Sequence, residues 1–258
     1  LQFVLLQIEA EVGAIDTNLT QHLQMIDLAA QQACGLIIFP EMSITGYCRR
    51  EATKFAFSAQ DERLASLRAR AQKKQIIVIA GAPIQLEDNL YIGSFVLLPD
   101  GRQQIYTKQY LHGGEEQYFA ASFGHSPLVQ IEEEKIALAI CADIENPCHP
   151  QDAKQAGSSL YAPSIFYSKA GINGGHQTLA RYAQTYEMPV LMSNFCGKHW
   201  KTEAGGKSAC WDQEGTLLAS LGSTEKGLVV MSKSAKSWQA KAFTIQELTN
   251  SVSPISAK

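Results

Sequence analysis

The chain has 258 residues, 22 basic against 25 acidic, and 45% of them are hydrophobic. That length buries a substantial core without disulfide staples, and a net charge of -3 leaves no electrostatic footprint for nucleic acid or an anionic membrane. The longest apolar runs, such as Phe3 to Leu6 and Leu36 to Phe39, fall far short of the roughly 18 residues needed to span a bilayer, and the opening LQFVLLQIE lacks a signal-peptide pattern; a cytoplasmic location is expected, with Leu1 not a native start.

Phe3 to Ile8 reads as a first strand. Asp16 or Thr17 can cap a helix in which Leu19, Leu23, Ile26, Ala30 and Ala33 recur at helical spacing, with Gly35 as its stop. Leu36 to Phe39 is a short continuous apolar strand, of the kind covered on both faces. A second helix, about 61–74, leads into a strand from Ile76 to Ala82, so the chain opens βαβαβ. A hairpin follows, with arms Tyr91 to Leu98 and Gln103 to Lys108 around Pro99-Asp100-Gly101. Pro127 to Ile131 and Lys135 to Ile140 are two further strands. A helix begins near Pro147, a residue suited to a first turn, and a strand follows at Leu160 to Ala162. Ile172 to Tyr186 suits another helix, feeding a strand at Val190 to Asn194. The remainder is β-rich, and the polar tail after about 232 is expected as a peripheral arm of a single domain covering 1–258. Alternating strands and helices with interspersed hairpins imply an α/β layered fold.

The six cysteines form no regular framework, no C-x-x-C occurs, and Cys148-His149 has no partner pair at ligand spacing. No phosphate-binding glycine motif is present either. No metal and no cofactor are therefore expected.

Ligands of open α/β sheets gather outside the carboxyl ends of the strands. Three such ends carry reactive groups: Glu41 just after 36–39, Lys108 closing 103–108, and Cys141 closing 135–140. Each also has an ordinary explanation: a turn glutamate, a solvated lysine, a small core cysteine. Together they place a carboxylate, an ammonium and a thiol where one crevice could collect them. Poor solvation would raise the carboxyl toward the useful range for a base, and an amine beside a thiol favours the thiolate. No histidine stands next to these groups in sequence, so the thiol's base is expected to be a carboxylate.

These residues carry a resemblance. Phe39-Pro40-Glu41 with Gly46-Tyr47, Tyr106-Thr107-Lys108 with Leu111-His112, and Ala139-Ile140-Cys141-Ala142-Asp143 with Pro147 resemble, in order and spacing, the nitrilase superfamily of carbon-nitrogen hydrolases. The segment GGKSACWDQEGTLLA is similar to that family's closing strands. The likeness implies a four-layer αββα sandwich pairing into a homodimer or higher homo-oligomer. It implies that Cys141 attacks an amide carbonyl, that Glu41 is the general base, and that Lys108 and the Ala142 N–H hold the oxyanion. It also implies a second glutamate near the lysine: HGGEEQYF offers Glu115 and Glu116, and the spacing to Phe119 favours Glu115.

The departures bear on substrate. Ala142-Asp143 replaces the Trp-Glu usual in nitrile-hydrolysing members, which favours amides. Members acting on N-carbamoyl amino acids carry arginines where Ile144 and Glu145 stand here, so an α-carboxylate substrate loses support. Glu145 could equally be solvated or cap a helix. Tyr47, Ser164 and Asn194 are candidates for substrate contact. The expectation is hydrolysis of a small linear amide through a cysteine acyl-enzyme, releasing ammonia or an amine. An N-carbamoyl amine hydrolase, acyl transfer to an amine, and a non-catalytic scaffold are the alternatives.

Overall fold

The computed structural model describes residues 1–199, 202–234 and 237–250. The strands are β1 Gln2–Gln7, β2 Leu36–Ile38, β3 Phe57–Ser58, β4 Ile77–Leu86, β5 Asn89–Leu97, β6 Gln103–Thr107, β7 Leu128–Ile131, β8 Glu134–Ile140, β9 Leu160–Ile165, β10 Val190–Asn194, β11 Lys198–His199, β12 Thr202–Glu203, β13 Ala209–Trp211, β14 Leu217–Ser220, β15 Gly227–Ser234 and β16 Ser237–Thr244. The α-helices are α1 Ile15–Ala30, α2 Ala52–Phe55, α3 Ala65–Lys74, α4 Cys148–Gln155, α5 Ile172–Tyr186 and α6 Ile245–Asn250.

Among the described residues two large sheets form. One runs β16-β15-β1-β2-β4-β5-β6, with β3 beside β4; the other runs β14-β13-β10-β9-β8-β7. Strand alternation explains their stacking. Phe3 and Leu5 of β1 face a core shared with Ile136, Leu138 and Ile140 of β8, while Val4 and Leu6 face Ile26 of α1 and Leu67 of α3. Successive side chains of one strand thus bury against a second sheet on one side and against helices on the other. On the far side, Ile172, Leu179 and Ala183 of α5 join the core of the second sheet, giving the αββα order of layers. No helix among the described residues is long and apolar enough to cross a membrane.

Three local expectations are corrected. Helix α1 starts at Ile15 with no side-chain cap, so neither Asp16 nor Thr17 caps it. Its buried face carries Asn18, Leu19, His22, Met25, Ile26 and Ala29, because two polar side chains of the inward stripe find partners inside. Nor are residues 237–250 of the tail a peripheral arm: β16 pairs with β15 over its whole length, and α6 follows, burying Leu248. A polar strand reads as an arm because, at a sheet edge, only alternate residues are shielded.

The segment after β2 is held from two sides. His22 Nδ1 lies 2.7 Å from the Asn18 carbonyl and Nε2 lies 2.9 Å from Ser43 Oγ, and the imidazole stacks on Phe39 with centroids 3.9 Å apart. On the opposite side Gly81 of β4 lets the backbone of 41–42 pass: a Cβ there would lie 2.4 Å from the Met42 nitrogen. Gly81→Ala should therefore cost about 1–3 kcal/mol by overpacking, read as a lower urea midpoint. Burial lowers the His22 pKa to about 4. The unfolded chain takes up this proton near pH 6.5 and the folded chain does not, so stability falls as pH drops from 6.5 towards 4. Urea titrations at pH 7 and pH 4.5 should record that loss, and His22→Gln should reduce the difference between the two.

Candidate active site

Three strand ends converge where the two sheets face each other. Glu41 follows β2 on a turn in which Met42 adopts φ +50°. Lys108 directly follows β6; its N–H donates to the Ile92 carbonyl at 2.8 Å, and its carbonyl accepts from Ser122 N–H at 3.2 Å. Cys141 begins a tight 3-10 turn, Cys141–Glu145, immediately after β8. It has φ +43°, a left-handed conformation that costs a non-glycine residue energy and persists where surrounding structure enforces it. The sharp strand-to-helix turn presents the thiol at the strand's carboxyl edge. Ala142 occupies the first turn after it, where helical N–H groups lack an intrahelical acceptor.

The enforcing group is Asp143. Its Oδ2 accepts from the Ile140 N–H at 2.8 Å and from the Tyr106 hydroxyl at 2.6 Å. Its Oδ1 accepts from the N–H groups of Gln109 and Tyr110, both at 2.9 Å. One buried carboxylate therefore ties the residues before Cys141 to those flanking Lys108, across the two sheets. His149 extends this support: its ring nitrogens lie 2.8 Å from the hydroxyls of Tyr106 and Tyr161.

Lys108 Nζ, fully buried, donates to Glu41 Oε1 at 2.9 Å and to Glu115 Oε1 at 3.0 Å. Glu115 also accepts from the Tyr47 hydroxyl at 2.7 Å and from the His112 N–H at 2.8 Å. Tyr47 in turn accepts from Arg49 Nε at 2.8 Å. The pair Glu115 and Glu116 is thus resolved by geometry: Glu115 faces the lysine, and Glu116 is exposed.

Two carboxylates on one ammonium have unequal settings. Burial pushes Glu41 above the usual carboxyl range, against the pull of Lys108. Burial acts upward on Glu115 too, but Lys108, Tyr47 and the His112 amide hold it below that range. Burial alone would lower Lys108, yet Glu41, Cys141 and Glu115 raise it and keep it charged. Glu41 Oε2 is a buried atom with no hydrogen-bond partner among the described residues. The arrangement holds one carboxylate fixed and leaves the other with an oxygen free to exchange a proton.

The sulfur's own setting differs from expectation. Burial and then the charge of Glu41 raise the Cys141 thiol well above its ordinary value, with Lys108 opposing. The lysine's charge also faces two carboxylates, and its pull on the sulfur is outweighed by burial. A histidine is also present after all: His112 Nε2 lies 3.1 Å from Cys141 Sγ, and its Nδ1 lies 3.4 Å from Glu145 Oε2. Four residues of chain beyond Lys108 hid this contact, which arises from the 112–115 turn closed by the Glu115 N–H to the His112 carbonyl.

The remaining candidates separate. Glu145 does not cap α4, since Asn146 Oδ1 accepts from the Cys148 N–H instead. Ser164 is buried on β9, level with Ile140 of β8. Asn194 is committed to structure: Oδ1 accepts from the Tyr167 N–H at 2.9 Å and Nδ2 donates to the Gly206 carbonyl at 2.7 Å and to the Tyr167 carbonyl at 3.4 Å. With both ends occupied it positions the loop beside the sulfur, near the Phe166 carbonyl 3.9 Å from Sγ, instead of offering substrate contacts. Among the described residues no cluster of three potential metal ligands occurs.

Comparison with known proteins supplies the family. Residues 5–242 match the carbon-nitrogen hydrolase family model. A protein of Pseudomonas protegens described as a hydrolase in the pqqF 5' region is 27% identical over 217 residues, covering 80% of this chain and 73% of its own length. A glutamine-dependent NAD(+) synthetase of Acinetobacter baylyi is 30% identical over 158 residues, which are 55% of this chain and 27% of that protein. Among solved structures, an amidase from Nesterenkonia sp. AN1 superposes with TM-score 0.79 at 22% identity, covering 89% of this chain and 91% of the other. The NAD+ synthetase of Acinetobacter baumannii has TM-score 0.78 at 22% identity over 89% of this chain, which spans only 45% of that longer protein. A CN-hydrolase superfamily protein of Xanthomonas campestris reaches TM-score 0.82 at 18% identity over 97% of this chain and 92% of its own. With a family model spanning nearly its whole length and two facing sheets flanked by helices, the chain belongs to the carbon-nitrogen hydrolases of the nitrilase superfamily.

Proposed function

We propose that the protein is a thiol amidase that cleaves the non-peptide C–N bond of a small linear amide through a Cys141 acyl-enzyme, releasing ammonia or an amine. The observation that carries this reading is the unpartnered Oε2 of Glu41, held beside a buried charged lysine and a strained buried thiol. In this reading Cys141 Sγ bonds to the amide carbon, and the Lys108 ammonium and the Ala142 N–H receive the developing oxyanion. Such donors act strongly where the site is buried and they need no reorganisation. Glu41 serves as general base, taking a proton as the bond forms, supplying one to the departing nitrogen, and then drawing one from the water that releases the acid. Glu115 and Tyr47 keep the ammonium aimed.

Glu145, exposed and 3.4 Å from the His112 ring beside the sulfur, and the absence of an arginine at 144 or 145 support a neutral or cationic substrate over one with an α-carboxylate. The amidase and synthetase relatives are compatible with different amides, so the substrate is best found by assay.

Ammonia release from a panel of aliphatic amides, ω-amides and N-carbamoyl amines is expected to yield turnover of at least one amide. Cys141→Ala should abolish that turnover with the melting temperature retained, and persisting turnover would remove the proposal. Lys108→Met should lower kcat by about 10²–10³-fold, the typical loss for one oxyanion donor. Because burial raises Glu41 and catalysis needs its ionised form, kcat/KM should fall on the acid side at a pH above the usual carboxyl range. A limb at the ordinary glutamate value would contradict that role.

A further inference from the structure

The buried imidazole of His149, on α4, is linked to the Cys141 turn through Tyr106 and Asp143, and the protons of this chain have a single self-consistent arrangement. His149 Nε2 lies 2.8 Å from the Tyr106 hydroxyl of β6, and Nδ1 lies 2.8 Å from the Tyr161 hydroxyl of β9. The Tyr106 hydroxyl has one proton and two neighbours able to accept it, Asp143 Oδ2 at 2.6 Å and His149 Nε2. A carboxylate is the stronger acceptor. Once the proton goes there, the phenol oxygen can only accept from the ring, so Nε2 carries the imidazole proton. Nδ1 is then a lone pair, and the Tyr161 hydroxyl donates to it. In the opposite tautomer the bare Nε2 would either face the phenol oxygen unbonded or draw its proton away from Asp143. Burial holds the imidazole below its ordinary value against the pull of Asp143 and Asp152, which keeps the ring neutral at pH 7. The oxygen of Asp143 that accepts from Tyr106 also accepts from the N–H of Ile140, the residue before Cys141.

We propose that His149 is a positioning residue: as the Nε2–H tautomer, held so by Tyr161, it commits the Tyr106 proton to Asp143 and thereby keeps the Cys141 turn in its left-handed conformation. This rests on Cys141 as the nucleophile, and His149 acts on the sulfur only through Tyr106 and Asp143. Without the Nε2 donor the phenol turns to another acceptor, Asp143 loses one of its four donors, and the turn is released from φ +43°. The sulfur then gains solvent, and because burial is what raises it most, it moves back towards the range of an ordinary cysteine.

The test uses the intact chain. In isotopically labelled wild type at pH 7, the His149 ring, assigned by the signals that vanish in His149→Gln, should show the neutral Nε2–H pattern in long-range proton–nitrogen correlations. An Nδ1–H tautomer or an imidazolium overturns the inference. Iodoacetamide labelling of the Cys141 peptide, followed by mass spectrometry at pH 8, should be at least about threefold faster in Tyr106→Phe and in His149→Asn, because a relaxed turn frees the thiol. The asparagine amide matches only the Nδ1 position. The glutamine amide reaches the Nε2 position and can still donate to Tyr106, so His149→Gln should stay within about twofold of the wild-type rate. On an amide that the wild type turns over, His149→Asn should lower kcat at least about tenfold with KM within about threefold, as when alignment and not binding is lost, and His149→Gln should recover most of it. A buried polar filler without directional role would make the two amides equal, and equal labelling in them overturns the inference, as does a wild-type labelling rate in Tyr106→Phe. Should His149→Asn not fold, the wild-type tautomer and Tyr106→Phe decide. Tautomer and labelling are read without an amide, so a failed amidase assignment and a failed positioning role give different results.

Discussion

A single buried ammonium organises this protein's chemistry. Lys108 lies without solvent exposure between Glu41 and Glu115, and removing the lysine would strand carboxylate charge in a low-dielectric interior, at a cost of about 3–5 kcal/mol. Such a cluster is a poor stabiliser compared with a packed apolar core, since desolvation offsets much of its Coulomb energy. Its worth lies in asymmetry. Three donors fix Glu115 and one holds Glu41, and the difference leaves one oxygen of Glu41 without a partner among the described residues.

The same balance governs the sulfur. A lone lysine beside a cysteine would draw out a thiolate, but a lysine already faced by two carboxylates has little charge left to offer. Burial and the charge of Glu41 therefore outweigh Lys108 and hold the thiol above its ordinary value. Backbone strain at Cys141 is tolerated because Asp143 spends all its acceptors on four donors drawn from both sheets. The Cys141 turn and the lysine's strand end are thus one mechanical unit, backed by the Tyr106, His149 and Tyr161 chain.

The layered fold supplies these elements at a common edge. Parallel pairing of β1 with β2 and of β2 with β4 brings Glu41 to the edge. Parallel pairing of β8 with β9 and of β9 with β10 brings Cys141 and the loop around Phe166 to it. Small residues permit the close approach: Gly81 beneath Met42 is a case where any side chain would collide with backbone.

The sequence by itself showed a layered α/β fold and strand ends bearing Glu41, Lys108 and Cys141, because continuous apolar strands and the reactive groups at their ends are local features, whereas the αββα order of the layers was implied only by the resemblance to the family. It also singled out α5 and β10 at their observed bounds, where periodicity and flanking residues agree. It misjudged β16, whose half-shielded polar residues resemble an arm until an edge strand pairs with them. Only the tertiary structure decided which glutamate of the 115–116 pair meets the lysine, that Asn194 is spent on backbone, and that His112 reaches the sulfur. Those outcomes depend on how the 108–119 and 166–167 loops close, and loop closure is set by contacts between residues distant in the chain, which no local pattern encodes.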